Sequence, residues 1–342
     1  MSIPARALWV RLPRFIGDAV MISQALEPLR DAGYPLVAWG GAGVVELFEG
    51  SRAFAAGVAD PPGKPTAWAM AALLRQHRAA GVLCLPRSHR AIFAGILAGI
   101  WRRVGWGDGI GRLLCSCSLN FGRLGGHQSE RYAALLRKAF PGLPALQFRP
   151  FVPRAQSQAE ADRLLEGLDR PFLAAGVGAM SWNKRVGVPV WVALGRLLAD
   201  RGLALVLLGT GADEQALAES VRQAVPDALD LTGRTSLSVT AGVLCRARGA
   251  IGGDSALCHL AGACGVPTVT VFGPTEPGFT AAPQPWVRVV RREDLSCLPC
   301  RRFDCGTEGH PCMQRVDPLA ILAALDAAAR DSDGVHAPEI VT

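Results

Sequence analysis

Residues 171–209 read PFLAAGVGAM SWNKRVGVPV WVALGRLLAD RGLALVLLG. The unbroken apolar run 171–176 predicts a strand buried on both faces. A glycine-containing loop follows, and then a helix over 189–200, because proline is tolerated in a first helical turn. The next apolar run, 204–209, predicts a second strand. A strand, a crossover helix and a parallel strand form the unit of a doubly wound sheet. The alternation continues with a helix over 212–224, a short strand at 229–231 and a helix over 237–245. A strand at 249–252, a helix over 255–264 and a strand at 268–272 complete the series.

The same grammar runs upstream. A strand at 7–12, a helix over 18–30, a strand at 36–39, a strand at 81–85 and helices over 88–101 and 128–140 predict another such sheet. The proline-containing stretch 141–153 separates the two rounds. The chain therefore divides into residues 1–150, residues 151–330 and a tail over 331–342. Its fold class is α/β, with two Rossmann-like, doubly wound parallel-sheet domains facing across a cleft. Ligands in such sheets bind beyond the carboxyl ends of strands, so the loops after strands carry most weight.

Composition narrows the function. Half of the 342 residues are hydrophobic and 19% are charged, as in a globular protein. Arg6, Arg11, Arg14 and Asp18 interrupt the first apolar stretch and argue against a signal peptide. The uncharged run 91–101 is too short to span a bilayer. These features predict a cytoplasmic protein. The net charge of +7 is uneven, with 18 Lys and Arg against 8 Asp and Glu in residues 1–150 and 18 against 21 in the remainder. The basic first half suits an anionic partner such as a phosphorylated lipid head group or a membrane surface. No basic helix, finger or aromatic-basic repeat points to nucleic acid. Of ten cysteines, Cys84, Cys115, Cys117, Cys245, Cys258 and Cys264 sit in or beside apolar segments and read as small buried hydrophobes in a reducing compartment.

Four constellations carry chemistry. In 12–18, Gly17 allows a tight turn after the first strand and places Asp18 at or near the next helix start, where aspartate is a preferred cap. A dinucleotide fingerprint needs three glycines there, and this loop has one, which disfavours a nicotinamide enzyme. In 176–185, Gly176 and Gly178 would let backbone N–H groups approach an anion, and Lys184 supplies a mobile positive charge. Lysine is scarce in this arginine-dominated chain, being found only at 64, 138 and 184. In 252–259, Asp254 or Ser255 would cap a helix, and His259 falls four residues after Ser255 on the same face. The fourth is Cys297, Cys300, Cys305 and Cys312. Its Cys-x2-Cys pair is a half-site for zinc, but the remaining spacings match no standard knuckle. Free thiols packing an irregular loop are the default reading, with a structural zinc as the alternative.

Taken together, these residues resemble glycosyltransferase family 9, and within it the ADP-heptose:lipopolysaccharide heptosyltransferases, most closely the type II enzymes. The resemblance covers nearly the whole chain. It runs through Ile16-Gly17-Asp18, residues 85–90, 102–106 and 127–132, then 231–237, Asp254-Ser255 through His259, and 272–275, to Gly309-His310 and Cys312-Met313. It implies a GT-B fold with the acceptor in the first domain and the donor in the second. It also implies inverting transfer of heptose from ADP-heptose to the lipopolysaccharide inner core, with no metal or other cofactor required. In that family Asp18 corresponds to the general base and Lys184 to a lysine that binds the donor phosphates. Asp254, Ser255, Ala256 and His259 fall in the nucleotide-sugar motif, and Ser181 is the nearest hydroxyl to a phosphate-binding position. Arg14, Arg87 and Arg90, on loops of the basic half, are the acceptor-side candidates. The implied partners are the nucleotide sugar, a lipopolysaccharide core precursor and the inner membrane surface, touched peripherally on its cytoplasmic face.

Two departures from the family pattern stand out. Ala256 occupies the usual glycine of Asp-Ser/Thr-Gly, and residues 185–188 separate Lys184 from Pro189 where Trp-Pro normally follows closely. Rival readings are a family member using another nucleotide sugar and a catalytically silent donor-binding member.

Overall fold

The computed structural model describes residues 3–4 and 6–332. The chain divides between Arg149 and Pro150 into two compact units. The first contains β1 (Leu8–Arg11), β2 (Leu36–Gly40), β3 (Ala56–Ala59), β4 (Gly81–Cys84), β5 (Arg102–Trp106) and β6 (Cys117–Leu119). They form one sheet in the order β3-β2-β1-β4-β5-β6, and every pairing is parallel. The second contains β7 (Phe172–Gly176), β8 (Ala204–Leu208), β9 (Leu229–Asp230), β10 (Gly249–Gly253), β11 (Thr268–Phe272) and β12 (Val287–Arg291). Its order, β12-β11-β10-β7-β8-β9, is the same arrangement read from the other edge, and it too is entirely parallel. Each sheet therefore reverses strand order at its centre, beside its first strand. That switch point is where doubly wound sheets open to ligands.

The central strands are buried end to end, as the apolar runs require. Helices cover both faces of each sheet. In the first unit Trp9 and Trp39 meet edge to face at 6.0 Å within a core completed by Met70, Leu74 and Ile92. In the second, Trp191 lies fully buried among Val190, Leu194, Leu207 and Ile321.

Three expected boundaries are corrected. The helix expected over 18–30 begins at Ile16 and divides into Ile16–Ala25 and Glu27–Asp31. Pro28 has no N–H to continue the ladder, and its ring crowds the carbonyl four residues back. The helix expected over 88–101 is His89–Leu97 and stops before Gly99, which takes a left-handed φ of +73°. Asp331 and Ser332, expected in the tail, belong to helix Pro318–Ser332. Residues 333–342 of that tail lie outside the described residues.

Candidate active site

In the first unit Asp18 is not a cap. Phe15 holds the N-cap position of helix Ile16–Ala25, and Asp18 is its third residue, half-buried in the first turn. There the aligned peptide dipoles favour its negative charge. Its Oδ1 accepts a hydrogen bond from Gln128 Nε2 at 3.0 Å, and the same nitrogen lies 2.5 Å from the Tyr132 hydroxyl. Burial, and after it the Asp18 charge, pushes the Tyr132 hydroxyl well above its ordinary range, so the phenol stays protonated. Gln128 opens helix Gln128–Ala139, so two helix starts converge on one carboxylate.

The arginines of this unit divide. Arg87 stacks over Phe121 at 5.1 Å, a ring that Arg131 also covers at 4.7 Å. Arg87 also lines a cavity of about 330 Å³ with Ser88, His89, Trp106 and Asp108. Ser88 caps the following helix by accepting from the Ala91 N–H. Asp108 Oδ1 accepts from the Phe121 N–H at 3.1 Å, while its Oδ2 is buried with no partner. Arg90 instead donates to the Pro65 carbonyl at 3.0 Å. Arg14 is exposed, its guanidinium 5.4 Å from the Phe15 ring.

In the second unit three loops meet at the carboxyl edge of the sheet. Lys184, in a 3-10 turn after β7, donates to Asp254 Oδ2 at 2.6 Å. Thr275, after β11, donates its hydroxyl to the same oxygen at 2.8 Å. The Asp254 side chain is only 8% exposed and that of Lys184 28%, so the pair is shielded on one side and open on the other. Gly253 permits this approach, since a Cβ there would lie 1.9 Å from the Lys184 carbonyl oxygen.

Ser255 takes the N-cap position of helix Ala256–Ala263, yet its side chain caps nothing and its Oγ is buried without a partner. A buried hydroxyl left unpaired at a helix start costs stability unless something else fills its hydrogen-bonding capacity. Ala256 is the first helical residue, and His259 is buried one turn in.

Two expectations for the 176–185 loop change. Gly178 does not open the backbone to an anion, because a Cβ there would meet the Glu214 carboxylate at 2.2 Å. That carboxylate accepts from the Thr210 and Gly211 N–H groups at 2.6 and 3.4 Å and so caps the next helix. Ser181 donates to Asn183 Oδ1 at 2.6 Å and is held inside its own turn. Asn183 in turn donates to the Arg302 carbonyl at 2.6 Å, tying that turn to the cysteine segment.

The four clustered cysteines line one small cavity of about 20 Å³ with Asn183, Pro274 and His310. All are free thiols, and among the described residues no three His, Cys, Asp or Glu side chains are placed to share a metal ion. Burial, and then the neighbouring cysteines, pushes the Cys312 thiol up to about 11. The segment works as a platform. Met313, fully buried, accepts through its carbonyl from the Gly187 N–H and packs beneath Gly253 and Gly273. Of the other six cysteines, Cys84, Cys258 and Cys264 are buried and the rest partly so.

Thr275, Asn183 and Gln128 were given no role from the sequence, although Gln128 and Thr275 fall within the resemblance stretches 127–132 and 272–275.

Two doubly wound parallel sheets, the second presenting Lys, Asp, Ser and Thr groups on loops at its carboxyl edge, define a Rossmann-like α/β protein. The sequence model described as Glycosyltransferase family 9 (heptosyltransferase) matches residues 68–310. The chain is 32% identical over 185 residues to lipopolysaccharide heptosyltransferase 1 of Pseudomonas aeruginosa, covering 47% of this chain and 52% of that relative. It thus spans about half the length of that protein. It is 26% identical over 261 residues to lipooligosaccharide heptosyltransferase 2 of Haemophilus influenzae, covering 71% of this chain and 75% of that one. The solved structure of Escherichia coli ADP-heptose lipopolysaccharide heptosyltransferase II superposes with a TM-score of 0.78 at 21% identity, over 96% of this chain and 100% of that one, and shares its GT-B fold. The chain belongs to glycosyltransferase family 9. Among the described residues, no helix is long and apolar enough to cross a membrane.

Proposed function

We propose that the protein transfers heptose from ADP-heptose to the inner core of lipopolysaccharide, with inversion and without a metal in the chemical step. One observation carries the reading: Lys184, Asp254 and Thr275 meet on three loops beside a helix start whose Ser255 Oγ is buried and unpaired. The names of the family relatives, heptosyltransferases 1 and 2, support the sugar and the acceptor class.

In this reading Asp18 takes the proton of the acceptor hydroxyl as that oxygen bonds to the anomeric carbon. The bond from that carbon to the diphosphate breaks on the opposite face, and ADP leaves with its electron pair. A carboxylate serves twice, as base and as a negative charge near an oxocarbenium-like centre. Gln128 fixes its direction. The charge arriving on the diphosphate is met by the two Lys184 N–H groups that Asp254 leaves unused, by the Ser255 hydroxyl and by the N–H groups of helix Ala256–Ala263. Arg87 holds an anionic group of the acceptor, with Arg14 and Arg90 as further candidates. Donor-dependent ADP release, compared between the native protein and Asp18→Asn, tests the base. Thermal shift with ADP, UDP and GDP tests the nucleotide. Equal release by both proteins removes Asp18 from its role, and a larger shift with UDP or GDP replaces the donor.

A further inference from the structure

From Pro61 to Gly107 the sequence contains no Asp or Glu and seven Lys or Arg. Two helices of this stretch, Ala67–Gln76 and His89–Leu97, bury Met70, Ala71 and Leu74 and Ala91, Ile92 and Ala94 in one core. Their outward faces therefore lie on the same side of the first sheet. Arg90 donates to Pro65 at the start of both helices, and Arg75 donates to the Leu97 carbonyl at their ends. The helices thus run side by side in the same direction, and their outer stripes adjoin. Beside the exposed Arg75, Gln76, His89 and Arg90, those stripes carry apolar groups where water would favour polar ones. Trp68 is 66% exposed, Phe93 42%, Ile96 37%, and Trp101, just past the second helix, 83%.

Exposed large apolar side chains along adjoining helix faces mark a surface that something covers. A second copy of the same face is a poor occupant, because it would set one acid-free basic surface against another. An anionic bilayer fits both features. Tryptophan seats its ring at the headgroup level, and each basic residue near such a surface adds attraction that salt screens. We propose that this face docks the protein on a membrane containing anionic lipids, with Trp68, Phe93 and Trp101 in the interface and Lys64 and Arg78 at the two ends of the first helix as its charged flank. The assignment rests on the proposed function only in that a lipid-borne acceptor would be met there.

The test is co-sedimentation of the full chain with vesicles of phosphatidylcholine alone and of phosphatidylcholine with one-quarter phosphatidylglycerol. The protein is expected on the anionic vesicles, at least tenfold less on neutral ones, and again tenfold less in 0.5 M salt. Trp68→Ser/Phe93→Ser/Trp101→Ser is expected to lose at least tenfold in vesicle binding while releasing ADP normally with a delipidated, soluble core oligosaccharide. Lys64→Glu/Arg78→Glu gives a second reading that leaves the aromatic surface intact, with about tenfold loss on anionic vesicles only. Native-level vesicle binding by the triple variant overturns the assignment. So does absence of native binding, or a native dimer that the triple variant abolishes. Failure of ADP release from every donor would strike the proposed function and leave the vesicle result standing on its own.

Discussion

Replacing Asp18 by asparagine removes one charge and one proton acceptor while keeping the shape of the side chain. The structure says what survives. Gln128 Nε2 donates to Asp18 Oδ1 at 3.0 Å, and an asparagine can present its carbonyl oxygen to the same donor. Among what the folded state loses is the interaction of a half-buried charge with a helix start, worth about 0.3–1 kcal/mol. For units of this size that is a fall in Tm of no more than about 4 °C. In the proposed mechanism the chemical step loses its general base, a loss of about 10²–10⁴ in rate. Expressed as a barrier, that is about 2.7–5.5 kcal/mol. The assay is steady-state ADP release with saturating donor and acceptor, with thermal melting of both proteins in the same buffer. The expected result is kcat down at least a hundredfold, donor KM nearly unchanged and Tm nearly unchanged. A variant that keeps more than a tenth of native kcat refutes the reasoning. A loss confined to KM would make Asp18 a binding residue instead.

Lys184→Met strands a largely buried carboxylate. Breaking a fully buried pair costs about 3–5 kcal/mol, and the partial exposure of Lys184 reduces this to about 1–3 kcal/mol. Lys184→Met/Asp254→Asn should regain most of that stability in denaturant melts, yet donor KM should stay at least tenfold raised. If donor KM recovers along with stability, Lys184 only supports the fold. Gly253→Ala must displace the Lys184 carbonyl, so it should lower Tm by several degrees and weaken ADP binding measured by calorimetry. Normal binding would mean that the loops adjust freely. Burial raises the Glu27 carboxyl above its usual value even with Arg30 alongside, so in the folded state its charge is disfavoured above that raised pKa. Glu27→Gln should therefore stabilise the protein at pH 7, and the gain should vanish as pH falls through the unfolded carboxylate range. A gain that grows toward acid pH would refute the sign.

Both sheets were legible where strands were buried on both faces. The runs at β7, β8 and β11 were read to within a residue because no solvent-facing position interrupts them. Of the edge strands only β9 was legible. β3, β6 and β12 are largely half-exposed or exposed, so their side chains carry no unbroken apolar signal. β5 opens on Arg102 and Arg103 and was not read as a strand. In the structure Arg103 spends its guanidinium on the carbonyls of Leu114, Ile100 and Trp101, a use of charge that only the folded chain reveals. The site followed the same division. Lys184 and Asp254 could be named from residue type and position after strands, Asp18 only through the family resemblance. That Lys184 and Asp254 bond to each other could not, because 70 residues separate them. Ser255 looked like an ordinary cap until its hydroxyl proved to be doing no capping.

In the proposed reading the pairing of Lys184 with Asp254 poses a physical question, since a carboxylate beside a lysine meant for phosphate cancels part of the charge a diphosphate needs. The geometry answers it. An ammonium on a four-carbon stem has many positions available, and one left free would have to be recruited as the leaving group forms. Asp254 removes that freedom, and Thr275 holds Asp254 from the other side through the same oxygen. Gly253 lets the lysine backbone lie directly against the end of β10, and Met313 packs beneath that strand end. What the site gives up in net charge it recovers in fixed direction, because a charge already in place needs no reorganisation when the bond breaks. The unpaired Ser255 hydroxyl belongs to the same logic. It is a hydrogen bond withheld from the fold at the start of a helix, where donors already face outward.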